Sequence, residues 1–250
     1  MTWKKFKAGN SKNPDKEERI YHIPDINADY PSVTTIIGQL DKSGALMGWA
    51  VKTTLEYLQT HPDDLKRDPT ETFKLAKQYY KVKQGEALDF GSALHALIED
   101  YLKNNPIDNW FVICPELKPA FMEFHKWQKE YEFELIKSEH TVWSEQYRFA
   151  GTLDCVAKLK NKLYVVDFKS SKAIYDDYLK QIAAYKTAYE ERTGEIIEGV
   201  GILRLPKIKD DTFEWKEYTL QQSDDAFDEF MCLVSYWWTK KGRKDGAKAL

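Results

Sequence analysis

The apolar run Leu163-Tyr164-Val165-Val166 passes directly into Asp167-Phe168-Lys169. An unbroken run of this kind reads as a strand covered on both faces. Charges placed at its end are therefore held at the rim of a core and not on a solvated edge. Asp167 and Lys169 stand two apart, so on a strand both leave the same face. Asp154, at the end of Gly151-Thr152-Leu153-Asp154, precedes Asp167 with twelve residues between them. It belongs to a second strand, Gly151–Leu159, in which Leu153, Cys155, Ala157 and Leu159 alternate with Thr152, Asp154, Val156 and Lys158. The connection centres on Asn161. An even hairpin loop sets Asp154 opposite position 167 or 169 and puts all three charges on one face. An odd loop pairs it with Phe168 unless a bulge intervenes.

Carboxylates gathered on one partly buried face repel and are costly to desolvate. A divalent cation resolves this, and oxygen ligands suit Mg²⁺ or Mn²⁺. A lysine beside such a cation can orient or deprotonate water and can stabilise charge on a phosphate. The combination fits metal-assisted hydrolysis of a phosphodiester. A salt bridge on an exposed hairpin is the competing explanation. The apolar run before Asp167 weighs against it.

Three strings extend the pattern: Phe149-Ala-Gly-Thr-Leu-Asp154, Tyr164-Val-Val-Asp-Phe-Lys169-Ser-Ser, and Gln181-Ile-Ala-Ala-Tyr185. In this order they resemble the PD-(D/E)XK nuclease superfamily, and its RecB-like branch most of all, whose motifs run G-x-x-D, D-x-K and Q-x-x-x-Y. The context Gly91-Ser-Ala-Leu-His95-Ala-Leu-Ile-Glu99 is similar to that branch's upstream histidine. Pro31-Ser-Val-Thr34, with Trp49 following, resembles the phage and mitochondrial genome-maintenance exonucleases of the branch. The likeness extends over residues 31–205.

The resemblance implies a restriction-endonuclease-like core and a Mg²⁺- or Mn²⁺-dependent deoxyribonuclease, an exonuclease on single-stranded DNA or DNA ends in recombination, repair or DNA degradation. A structure-selective endonuclease, a double-strand-end resecting exonuclease and an inactive DNA-binding module are its alternatives. It implies that Asp154, Asp167, His95 and the Phe168 backbone carbonyl hold the metal. Lys169 would be the catalytic lysine, with Gln181 and Tyr185 steadying the site. The last two share a helix face by their spacing alone. Glu99, one turn beyond His95, is a candidate to orient it, and equally a helix-surface carboxylate. Glu145 is a candidate for assisting a second metal, or a strand-face carboxylate. The implied partners are DNA and a recombination or replication protein. The cluster-binding cysteines of several relatives are missing, which speaks against an iron–sulfur cluster.

The rest of the chain sets the frame. Among 250 residues, 37 basic and 40 acidic side chains nearly balance, so a polyanion site must be a local patch. The three cysteines, Cys114, Cys155 and Cys232, form no pair at metal-binding or disulfide spacing, as suits a reducing, cytoplasmic setting. No apolar run is long enough for a membrane span.

The whole chain reads as one nuclease-type domain of α/β class, a mixed central sheet flanked by helices. Residues 1–30 read as irregular with one strand at Arg19–Ile23, and 31–133 as mostly helical. Residues 134–240 read as a sheet core with closing helices, and 241–250 as a basic tail, frayed or tracking DNA. Helices are expected from Ser32 as N-cap, at Gly44–Gln59, from Pro69 to about Gly85, at Phe90–Leu102 and at Pro115–Tyr131. His61–Asp64 is expected as a loop. Strands follow at Glu134–Phe149 and Leu163–Lys169, then a helix from Tyr175 stopping at Gly194. Strands at Ile197–Leu205 and Phe213–Thr219 and a helix at Gln221–Lys240 complete the order.

Lys74, Lys77 and Lys81 fall on one helix face, either a phosphate-binding row or a solvated surface. Lys172, Arg204 and Lys207, close to strand ends, are further candidates for DNA phosphates. Trp127, Trp237 and Trp238 read as core; Trp49 or Trp143 could stack on a single strand.

Overall fold

The computed structural model describes residues 5–8, 18–208 and 210–244. The polar stretch around Gly9-Asn10-Ser11 and Asn13-Pro14, and the tail beyond Lys244, lie outside the described residues. By their contacts the residues form two compact units, one of residues 40–94 and a larger one of the segments on either side, 1–39 and 95–250.

The larger unit is built on a five-stranded sheet in the order β4-β5-β6-β7-β8. These strands are Glu134–Ser144, Phe149–Leu159, Lys162–Lys169, Gly199–Arg204 and Glu214–Tyr218. The fold is mixed α/β. β6 and β7 run parallel and the other pairs antiparallel. A parallel pair needs a crossover, and helix α7 (Asp176–Thr193) supplies it. It stops at Gly194, whose φ of 72° lies in the left-handed region that glycine adopts without strain.

β6 and β7 are buried almost throughout, which is why Leu163–Val166 reads as an unbroken apolar run. On the side to which Phe168 points, helix α6 (Lys118–Glu130) lays down Phe124 and Trp127, with Phe124 and Phe168 5.6 Å apart. α7 contributes Ile182, Ala183, Ala184, Tyr185, Ala188 and Tyr189 to the core, and the closing helix α8 (Leu220–Lys244) packs against α7. That helix runs past the expected end at Lys240, so Lys241–Lys244 continue it and do not begin a tail. Among the described residues no helix is long and apolar enough to cross a membrane.

The start of the chain is more ordered than its polar sequence suggests. A three-stranded antiparallel sheet joins β1 (Lys5–Ala8), β2 (Glu18–Ile23) and β3 (Ala28–Pro31). Tyr21, Ile23 and Tyr30 bury against Trp143 and Ala150, so these strands owe their stability to the main sheet's neighbouring residues. Ser32 then caps helix α1 (Val33–Ile37), its Oγ accepting the Thr35 N–H at 2.9 Å. A short helix α5 (Asp108–Ile113), not expected from the sequence, precedes a single 3₁₀ turn at Pro115–Leu117. The expected strand Glu134–Phe149 is divided: β4 stops at Ser144, a turn spans 145–148, and Phe149 opens β5. Trp127 and Trp237 are core residues. Trp143 is buried beneath Arg192, which removes it from the candidates for stacking on DNA.

The smaller unit is helical, with α2 (Ser43–Thr60), α3 (Pro62–Arg67) and most of α4 (Pro69–Leu102). His61–Asp64 is not a loop. Pro62 stands at the helix start, where its missing N–H costs nothing, and Asp63 and Asp64 face the positive end. α4 does not end at Gly85 but runs on to Leu102; a mid-helix glycine costs only about 1 kcal/mol. Trp49 meets Tyr80 edge to face, with ring centroids 6.3 Å apart. Lys74, Lys77 and Lys81 are solvent-facing on α4, and Lys74 pairs with Glu71 at 3.2 Å.

Candidate metal centre

The hairpin between β5 and β6 is closed by two residues, Lys160 and Asn161, with φ of 48° and 67°. Two left-handed residues define the tight turn that suits strand twist, and asparagine tolerates the position. The loop is therefore even. Leu159 pairs with Lys162 and Cys155 with Val166, and one further step of that register sets Asp154 across from Asp167. The ladder stops short of that step. Asp154 Oδ2 accepts the Phe168 N–H at 2.8 Å, a side chain taking the place of a strand carbonyl. β5 stays paired with β4 and bridges to Ser32 through Ala150. The charged residues gather where the pairing of β5 with β6 ends.

Asp167 is 1% exposed. Its Oδ1 accepts from Gln181 Nε2 at 3.3 Å, and its Oδ2 lies 2.6 Å from Lys169 Nζ. Oδ2 is thus a buried oxygen held against the charge of Lys169. Gln181 also donates to Tyr185 Oη at 3.2 Å and accepts from Lys169 Nζ at 3.4 Å. One amide thus fixes the lysine, the carboxylate and the buried tyrosine. α7 brings Gln181 and Tyr185 to one face through their i,i+4 spacing.

His95, in the C-terminal part of α4, completes this side. Its Nε2–H donates to the Phe168 carbonyl at 2.9 Å, and Nδ1 lies 3.5 Å from Asp154 Oδ1. With an oxygen beside each nitrogen, the ring is stabilised as an imidazolium. Burial disfavours that charge, but Asp154 outweighs it and lifts the pKa to about 9. Asp154 moves the opposite way. Burial alone would raise it, yet His95, Lys169 and the Phe168 N–H hold it below the usual carboxylate range.

For Asp167 burial wins, and its pKa rises to about 6 despite Lys169 and against the pull of pairing. Burial also depresses Lys169, where Asp167 and Asp154 prevail and keep it above the ordinary lysine value. The two directions meet in one state near neutrality: a firmly charged lysine beside a carboxylate that is expensive to keep ionised.

Glu139 was not anticipated. It lies on β4 between the pairs Ser138–Cys155 and His140–Leu153, hence across from Asp154. Ligand atoms of His95, Glu139 and Asp154 all fall within 4.8 Å of one another. Glu139 has φ of 45°, a left-handed conformation that a non-glycine residue in a strand rarely adopts. Its sequence signal was the pairing of β4 with β5, legible only once the turn at 145–148 is known.

Other candidates sit elsewhere. Glu145 is exposed in that turn, where its backbone N–H donates to Glu191 Oε1, so it does not join Glu139 and Asp154. Glu99 does not orient His95; it pairs with Lys103, and both imidazole nitrogens already face other oxygens. Arg204 is not free for phosphate, because Asp211, Glu214 and the Thr212 carbonyl engage its guanidinium. Lys172 is exposed in the loop after β6. Lys207 is solvent-facing beyond β7, and desolvation lowers its pKa.

The donor set suits a hard divalent cation. Carboxylates from β4 and β5, Glu139 and Asp154, converge with the imidazole of His95, whose other nitrogen meets the Phe168 carbonyl. Asp167 on β6 is not in that group; its Oδ2 faces Lys169 Nζ at 2.6 Å. Oxygen-rich donors with a single nitrogen match Mn²⁺ or Mg²⁺ and not a thiolate-seeking metal.

No family model matches the chain, and no curated protein matches it. Among solved structures, it is similar to one described as a "putative exonuclease" from Eubacterium rectale, at 12% identity and a TM-score of 0.41. That match covers 57% of this chain and 64% of the other, less than two thirds of its length.

Proposed function

We propose that this chain is a divalent-metal-dependent nuclease that hydrolyses phosphodiester bonds of DNA, an exonuclease acting on single strands or on ends. The observation that carries the reading is the convergence of His95, Glu139 and Asp154 near the buried Asp167–Lys169 pair, where the pairing of β5 with β6 ends. A structural salt bridge needs no further carboxylates gathered on an imidazole beside it.

His95, Asp154, Asp167 and the Phe168 carbonyl would hold the cation, with Glu139 at its side. A bound cation supplies charge neutralisation at the phosphate and acidifies water. Lys169, kept protonated by two carboxylates, is suited to donate to a non-bridging phosphate oxygen and to the negative charge that builds there. Gln181 bridges the close Asp167–Lys169 pair, accepting from the lysine and donating to the carboxylate. Tyr185 buttresses Gln181 from the core. Near neutral pH Lys169 is a donor and not a base.

The test uses single-stranded DNA labelled at either end, linear or circular, with Mg²⁺, Mn²⁺ or EDTA. The expected result is metal-dependent loss of linear strands with circles spared, abolished by Lys169→Ala and by Asp154→Asn. Cut circles would make it an endonuclease. Binding without cleavage of any substrate would overturn the enzyme reading.

A further inference from the structure

We infer that Tyr175 is a stacking surface for an unpaired nucleobase next to the scissile phosphate, and so a specificity-determining residue for single-stranded ends. The inference rests on the nuclease reading above and names which form of substrate that site takes.

A path of ring contacts leads out of the site. Lys169 Nζ lies 4.9 Å from the ring centroid of Tyr178, over its face. The Tyr178 ring lies 5.6 Å from that of Tyr175, edge to face at 78°. Tyr178 is half-buried, whereas Tyr175 is 49% exposed. A solvent-facing ring is thus anchored, through one intermediary, to the amine proposed to hold the phosphate.

The local chain explains how the ring is set there. β6 ends at Lys169 and α7 begins at Asp176, so the connection is short. Ser171 Oγ–H donates to the Ala173 carbonyl at 2.7 Å and folds the loop on itself. Tyr175 occupies the N-cap position of α7, but its side chain caps nothing. Capping therefore does not account for a large aromatic residue at this place, where Ser, Thr, Asp or Asn is the usual choice.

Among the described aromatic residues of the larger unit, Tyr175 and Tyr236 are the exposed ones. Tyr236 lies on α8 with Lys240 over its ring, away from β6 in sequence. Tyr175 alone of the two follows the strand that carries Asp167 and Lys169. Lys172, exposed in the same loop, adds positive charge for the adjoining backbone. An exposed ring with a lysine nearby binds single strands because every unpaired base offers a π-face. A base in a duplex must first unstack from its neighbours.

The experiment uses the full chain and two readouts. In EDTA, where no cleavage occurs, single-stranded oligonucleotides carrying 2-aminopurine report stacking through fluorescence quenching. In Mn²⁺, kcat/KM is measured on normal strands and on strands with abasic residues at successive positions. Tyr175→Ala should lose the quench and drop kcat/KM on normal strands about 5- to 150-fold, the span that base–aromatic stacking gives. Tyr175→Phe, which keeps the ring, should retain both. The wild type should lose a similar factor at one abasic position, and Tyr175→Ala should lose nothing further there.

Unchanged quenching and unchanged kcat/KM in Tyr175→Ala would overturn the inference while metal-dependent cleavage stands. Additive losses from Tyr175→Ala and the abasic position would overturn it too, since the ring would then act on the fold. Absence of cleavage by the wild type, or full activity in Lys169→Ala, would overturn the nuclease reading; the quench then decides the stacking surface on its own.

Discussion

The Tyr185 ring meets the bare Cα of Gly151 with its edge, Cε1 foremost. A methyl group there would stand 2.5 Å from Cε1 of the ring, closer than two carbons can approach. The contact ties together two short strings far apart in sequence, the glycine before Asp154 and the tyrosine after Gln181. Glycine is present so that the ring can close over the strand, and the ring is placed so that its hydroxyl meets Gln181. Gly151→Ala must therefore push Tyr185 or bend β5. Overpacking of this kind costs about 1–3 kcal/mol. A denaturant melt should show that loss, and cleavage should fall with it because Gln181 no longer holds Lys169. Tyr185→Leu in the Gly151→Ala background should recover part of the stability without recovering activity.

Metal-free protein should lose stability as the pH rises above neutrality. The folded-state pKa of His95 is raised from 6.5 to about 9, so its contribution is complete below 6.5 and disappears as the pH passes through 9. Asp167, raised from 3.8 to about 6, acts in the same sense at lower pH, its contribution fading as the pH passes 6. Thermal melts in EDTA should fall steadily between pH 6 and pH 9.5, on the order of 1–3 kcal/mol in total. His95→Gln should flatten the upper part of that decline. An unchanged slope in this variant would show that the imidazolium is not held by Asp154.

Cation binding should release a proton. His95 Nε2–H now points at the Phe168 carbonyl, and both groups belong to the proposed ligand set. A cation cannot share the position with that proton. Titration of Mn²⁺ by calorimetry at pH 7.5, in buffers of different ionisation enthalpy, should report close to one proton released per ion. The release should vanish in His95→Ala.

Most of the site could be found in the sequence because its parts are local. Asp167 and Lys169 share a face by strand period, Gln181 and Tyr185 by helix period. Asn161 marks a hairpin short enough to fix the register between β5 and β6. Glu139 escaped because its position depends on a longer turn, closed by Ser144 accepting from Tyr147 and Arg148, from which the register runs unbroken to Glu139. One residue more or less in that turn would send its side chain to the other face. Arg204 was misjudged for the same reason. Its partners Asp211 and Glu214 come from the loop and strand that follow, and only the folded pairing of β7 with β8 brings them in. The N-terminal strands were hidden because their burial depends on Trp143 and Ala150, residues of another sheet.

Glu139 offers the sharpest trade between stability and function. Its φ of 45° places a side chain with a Cβ where glycine sits without strain. Strain of this kind costs of order 1–3 kcal/mol and tends to persist where the residue has a task. Glu139→Gly should therefore stabilise the metal-free protein by about 1 kcal/mol in EDTA melts, since it relieves the backbone and removes a carboxylate facing Asp154. The same change should weaken Mn²⁺ binding by about tenfold or more, as loss of an anionic ligand does. Glu139→Gln separates the two effects: it keeps the strain, so its metal-free stability should rise less, while its Mn²⁺ affinity should fall comparably. A Glu139→Gly protein that binds Mn²⁺ as tightly as the wild type would remove Glu139 from the metal centre and leave its backbone geometry as a feature of the strand alone.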